Sequence, residues 1–150
     1  MLRKLISTPN DFTLTLARIV LATIFFAHGS QKVFGFFGGK GVSGTIDFFY
    51  QTMGIPAPLT VLAMIAEVAG SVGLILGLVS RVAALGVLVV MVVAPFANHL
   101  YPRFFMNWAG NQPGEGYEYH LLAIALIVTI LVRGGGALSL DRAIAGRVKS

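Results

Sequence analysis

Four stretches of this chain are apolar at almost every position, and each is bounded by charged or turn-forming residues. They cover residues 12–29, 58–79, 82–97 and 119–132. A membrane-crossing helix needs roughly 20 apolar residues, with a range of about 17–25. The second run reaches this unaided, although Glu67 sits within it. The others are slightly short and recruit interfacial residues such as His28, Asn98 and Glu118. The pattern predicts four transmembrane helices, at about 12–30, 58–79, 82–99 and 118–132, with a hinge at Ser80-Arg81 joining the second and third. The expected fold is all-α: an antiparallel four-transmembrane-helix bundle, polytopic in the membrane, forming one domain over residues 1–150.

The connections add detail. After the first run the chain is rich in glycine, at Gly35, Gly38, Gly39, Gly41 and Gly44, which suits sharp backbone turns. Ser43 can then cap a short interfacial helix reaching about Met53, with Ile46, Phe49 and Met53 on one face. Residues 98–118 carry Tyr101, Phe104, Phe105, Trp108 and Tyr117, an aromatic belt expected at the outer surface. Gly134-Gly135-Gly136 reads as the C-cap and turn of the last helix. Ser139-Leu140-Asp141 reads as the start of a short amphipathic tail helix.

Composition supports the bilayer. Of 150 residues, 56% are hydrophobic and only 11% charged, with a mean hydropathy of +0.82. A soluble domain carries roughly 25% charged residues, and a chain this short cannot hide so much apolar surface from water. Disorder is excluded by the same figures. There is no cysteine, hence no disulfide, thiolate metal site or Cys-x-x-Cys redox pair; electron chemistry requires a cofactor or a partner.

The net charge of +5 does not point to nucleic acid, because the basic residues flank the apolar runs and report topology. With the N-terminus inside, Arg3, Lys4, Arg81, Arg133, Arg142, Arg147 and Lys149 lie inside, and only Lys32, Lys40 and Arg103 outside. Both termini are therefore expected in the cytoplasm. Arg3 and Lys4 are reminiscent of a signal-peptide n-region, but Asp11 and Arg18 break the pattern and no A-x-A site follows. The first run is expected to remain as a span.

Two ionisable residues fall inside spans, where each costs about 2.5–3.5 kcal/mol on the insertion scale. Arg18 lies about 9 Å inside the first helix, and Glu67 about 13 Å below the outer end of the second. Both should face the bundle interior. A direct Arg18–Glu67 pair is attractive, but side chains lean toward their own helix N-terminus, which sends Arg18 inward and Glu67 outward. Ala66, Gly70, Gly73 and Gly77 form a small-residue face for close helix packing, with Gly86 as candidate partner.

All three histidines cluster at one depth. His28 and Lys32 end the first span, His99 ends the third, and Glu118 and His120 open the fourth, with Glu67 beneath them. Such a constellation can bind a quinone-type head group, with Glu67 and His120 handling protons, His28 and Lys32 orienting the ring, Glu118 nearby, and Trp108 and Tyr117 as walls. It can instead hold a metal or haem through His28, His99 and His120, since neutral imidazole is a common metal ligand, although no H-E-x-x-H-like spacing is present. The plainest alternative is a set of interfacial polar groups satisfied by water.

The segment from Ala27 through His28-Gly29-Ser30-Gln31-Lys32 to Gly35, followed by glycines, resembles the DoxX family. So do Ala66-Glu67-Val68-Ala69-Gly70 and Glu118-Tyr119-His120, in that order along the chain. The resemblance implies a small four-helix protein of the bacterial or archaeal cytoplasmic (inner) membrane. The family's name comes from a subunit associated with a terminal quinol oxidase. The related DoxD family forms the membrane subunit of a thiosulfate:quinone oxidoreductase, and other members are linked to membrane redox and thiol-stress complexes. Its recurrent polar positions fall on Arg18, His28, Lys32, Glu67, Glu118 and His120. On this reading the chain is at most a subunit of a quinone-linked oxidoreductase, joined to a redox partner or to further copies of itself. The competing reading is a non-enzymatic anchor, assembly factor or amphiphile carrier. Arg142, Arg147 and Lys149 in the tail could meet a soluble partner at the cytoplasmic side, but attraction to anionic lipid is the simpler reading.

Overall fold

The computed structural model describes residues 2–98, 104–111 and 115–147. Among them the chain is all-helical: α1 (Leu2–Ile6), α2 (Phe12–Phe34), α3 (Gly41–Met53), α4 (Ala57–Leu76), α5 (Ser80–Asn98), α6 (Glu118–Arg133) and α7 (Leu140–Ala145), with a 3-10 turn at Phe36–Gly38. The start of α2 is set by Asp11. Its extended backbone and its carboxylate, which accepts from the Thr13 and Leu14 N–H groups at 2.9 and 3.4 Å, satisfy donors that a helix start leaves open. The Thr13 hydroxyl donates to the same carboxylate, and these bonds hold the Asp11 carboxyl below the usual range. Gly35, in the left-handed region, stops the helix.

Two seams explain the packing. On α2 the buried positions include Leu14, Arg18, Leu21, Phe25 and Gly29; on α4 they include Thr60, Met64, Glu67, Ser71 and Leu74. Steps of three and four place each set on one helix face. α2 packs on α4, α4 on α5, α5 on α6, and α6 returns to α2. The enclosed core includes Leu21, Phe25, Leu74, Val87, Ile127 and Ile130. Outside this ring, Leu16, Leu62, Leu85, Val89, Leu122 and Val132 are exposed. Apolar residues thus lie on both faces of the helices, which is what a bilayer solvent selects.

Helices α2, α4 and α5 are long and apolar enough to cross a membrane. Helix α6 has 16 residues, about 24 Å at 1.5 Å per residue, and is shorter than the hydrocarbon core. Its two ends nevertheless lie at the two ends of the bundle. At one, the near end, Arg133 approaches Asp11 at 3.8 Å. At the other, the far end, the Glu118 N–H donates to the Phe104 carbonyl at 3.0 Å.

Three expectations change. The hairpin turn is residues 77–79, and Ser80 and Arg81 already belong to α5; Gly77 and Val79 take positive φ there, ending α4 earlier than its apolar run does. Helix α3 begins at Gly41, before Ser43, and no side chain caps it; Thr45 instead fastens it to α2, its hydroxyl donating to the Lys32 carbonyl at 3.1 Å. The last glycines are buried and do more than end a helix. Residues 136–138 bond back to Thr8, Asp11 and Thr15, tying the tail to the start of α2. Ser139 caps α7 as its position suggested, accepting from the Arg142 N–H. The short α1 had no signal in the apolar pattern.

Candidate functional site

Glu67 is buried in the middle of α4, and its partner is Lys32. The ammonium lies 2.5 and 2.6 Å from the two carboxylate oxygens, with the Glu67 side chain 2% and the Lys32 side chain 24% exposed. Lys32 belongs to the last turns of α2 and leans back along its helix, while Glu67 leans toward the start of α4. The helices run in opposite directions, so both side chains lean into the gap between them.

Close approach is needed for this, and Gly29 supplies it. A Cβ at Gly29 would lie 2.8 Å from Val68 Cγ2, 3.1 Å from the Val68 nitrogen and 3.2 Å from Glu67 Cβ. His28 and Tyr119 are within electrostatic reach of Glu67. His28 is exposed on the outer surface of α2, whereas the Tyr119 hydroxyl is buried and has no hydrogen-bond partner among the described residues. The Ser30 hydroxyl, next to Gly29 in the chain, is also buried and unpartnered. The Tyr119 ring meets His120 edge-on, with centroids 5.7 Å apart. His120 in turn lines a groove of about 410 Å³ between α5 and α6, with Met91, Pro95, Phe96, Tyr117 and Ile124.

The other predicted residues fall elsewhere. Arg18 does not meet Glu67. Its guanidinium closes the other end of α4, donating to the Leu74 carbonyl, to the Ile75 carbonyl at 2.9 Å and to the Leu138 carbonyl at 2.6 Å. A cation there satisfies orphan carbonyls and the negative end of the helix dipole. Glu118 accepts from the Met106 N–H at 2.8 Å and holds the loop over residues 104–111. Trp108 in that loop is 89% exposed and is not among the groove's lining residues. His99 lies outside the described residues, and among those described no three histidine or carboxylate side chains converge as a metal set.

Two residues had no signal as site or capping residues in the sequence pattern: Tyr119, whose hydroxyl is buried, and Asp141. The latter is buried and accepts from the Val79 and Ser80 N–H groups at 2.7 and 2.8 Å, capping α5 from the tail. Arg81, expected in the hinge and on the inner side, does more than either role: its guanidinium gathers the Leu131 and Val132 carbonyls of α6 together with the Lys4, Leu5 and Ser7 carbonyls.

The fold and this site define a polytopic helical membrane protein with an ion pair buried between two spans. Within that class the chain belongs to the DoxX family, whose profile matches residues 13–100. An uncharacterized protein of Haemophilus influenzae is 32% identical over 141 residues, which cover 88% of this chain and 90% of that protein. No solved structure matches the chain.

Proposed function

We propose that this protein is the membrane-embedded, quinone-binding subunit of a redox complex, and that Glu67 is its proton-exchanging group. The observation that carries this reading is the buried Lys32–Glu67 pair. A well-packed hydrophobic pair would serve folding as well or better, and ionisable groups inside a span mark function by default. The groove between α5 and α6 suits a quinone: its wall is largely apolar, and Tyr117 and His120 are its polar lining residues. Behind it, Tyr119 meets His120 edge-on, and both Tyr119 and the exposed His28 are within electrostatic reach of the Lys32–Glu67 pair.

Reduction of a quinone to a quinol takes two electrons and two protons. A partner redox protein supplies the electrons, and this chain supplies the protons and the binding groove. His120 donates to or accepts from the ring oxygen, and Glu67 is the buried carboxylate that exchanges protons with the site.

The reading includes four crossings of the cytoplasmic membrane, with both termini in the cytoplasm. The near end carries Arg3, Lys4, Arg81, Arg133 and Arg142, and the far end Lys32 and Lys40, the asymmetry of the positive-inside rule. Local thinning of the bilayer accommodates the short α6.

The test is quinone retention. Protein purified in mild detergent should carry close to one quinone per chain on solvent extraction. Loss of one hydrogen bond in His120→Ala should weaken rebinding of a short-chain quinone about tenfold. If no quinone co-purifies or binds on titration, and Glu67→Gln behaves as wild type in both assays, the reading fails, leaving an anchoring or assembly role.

A further inference from the structure

At the near end, remote from the Lys32–Glu67 pair, α1, the end of α4 and the tail around α7 border an open cleft of about 930 Å³. Its lining includes Arg3, Ser7, Thr8, Leu76, Leu138 and Arg142. We infer that this cleft is a binding site for an anionic phospholipid, with the phosphate between Arg3 and Arg142 and the acyl chains leaving over Leu76 and Leu138.

Two features of the cleft select that ligand. Neither arginine is paired with a carboxylate among the described residues, where the ion pairs are Lys32–Glu67 and Arg133–Asp11. Asp141, the nearest acid in sequence to Arg142, is buried and committed to the Val79 and Ser80 N–H groups. Arg142 is held in place by neutral acceptors, the Asn10 side-chain oxygen and the Ala137 carbonyl, so its charge is uncompensated. A fork of guanidinium donors favours phosphate.

The second feature is the apolar rim. Leu138 is 66% and Leu76 47% exposed, and Leu76 is the last residue of a membrane-length helix. The cations therefore sit where hydrocarbon gives way to headgroups. A soluble phosphate compound would have no use for these leucines, whereas a phospholipid fills both halves of the cleft.

Lipid retention tests this independently of quinone binding, because none of the cleft residues lines the groove or touches Glu67. Wild-type protein in neutral detergent, titrated with phosphatidylglycerol and analysed by native mass spectrometry, should bind it in preference to phosphatidylcholine. Surface attraction of about 1 kcal/mol per basic residue predicts that Arg3→Gln with Arg142→Gln lowers the affinity about 30-fold. Arg133→Gln, outside the cleft, should leave it unchanged. Leu138→Gln keeps both arginines and should weaken lipid binding if the double variant does not fold. Equal binding by wild type and Leu138→Gln, or full displacement of the lipid by millimolar inorganic phosphate, would overturn the lipid assignment.

Discussion

At the scale of single residues, the buried carboxylate decides most of the chemistry. Removing one partner of a buried ion pair leaves the other charge without compensation and costs about 3–5 kcal/mol, whereas replacing both by neutral groups is far milder. Lys32→Met should therefore destabilise the purified protein by about 3 kcal/mol, and Lys32→Met with Glu67→Gln should recover more than half of that loss. Denaturant titration followed by helical circular dichroism would check it, and additive losses would mean that the two side chains are not coupled. Part of this site was legible in the sequence. The tilt of side chains toward helix N-termini already separated Arg18 from Glu67, and the two are separate in the structure. The identity of the partner was not legible, because Lys32 sits at the rim of α2 by count and reaches Glu67 only through its long flexible stem and the close approach at Gly29.

At the scale of elements, the α4–α5 turn depends on residues far away in the chain. Val79 adopts φ 43, a conformation a β-branched residue enters only under strain. Arg18 holds the carbonyls on one side of this turn, and Asp141 the N–H groups of Val79 and Ser80 on the other. Loss of a capping carboxylate costs about 0.5–2 kcal/mol, and a strained turn should place this cap at the upper end. Asp141→Ala is expected to lower stability by about 2 kcal/mol, and a second change, Val79→Gly, to restore part of it, since glycine adopts positive φ freely. Thermal unfolding of the single and double variants in one detergent would show this; a Val79→Gly change that destabilises the Asp141→Ala protein further would refute it. Apolar runs announce where helices lie but not which distant acid ends them, so the hinge was read at Ser80-Arg81. A cap supplied across 61 or 62 positions has no local signature, and neither does an arginine gathering carbonyls from α1 and α6.

At the scale of the whole molecule, composition alone identified the solvent, because a chain with 56% hydrophobic residues has more apolar surface than a core of this size can hold. The number of crossings rests on a finer argument. Helix α6 is short, but its start is bonded to the loop over residues 104–111 and its end to Arg81 and the α1–α2 junction. On the proposed four-crossing reading, α6 runs the depth of the bilayer beside α2, α4 and α5, which is supported by the anchoring of its ends at opposite ends of the bundle. The absence of native cysteine makes this directly measurable with single introduced cysteines in intact cells. A membrane-impermeant maleimide should label Thr52→Cys and Gly110→Cys, both exposed at or near the far end, and should reach Ser7→Cys and Ala143→Cys only after the membrane is permeabilised. Labelling of Ala143→Cys in intact cells with Ser7→Cys still protected would place the tail on the outer side. It would separate Arg142 from Asn10 and Asp141 from the α4–α5 turn, so the near-end clasp and the four-crossing topology stand or fall together.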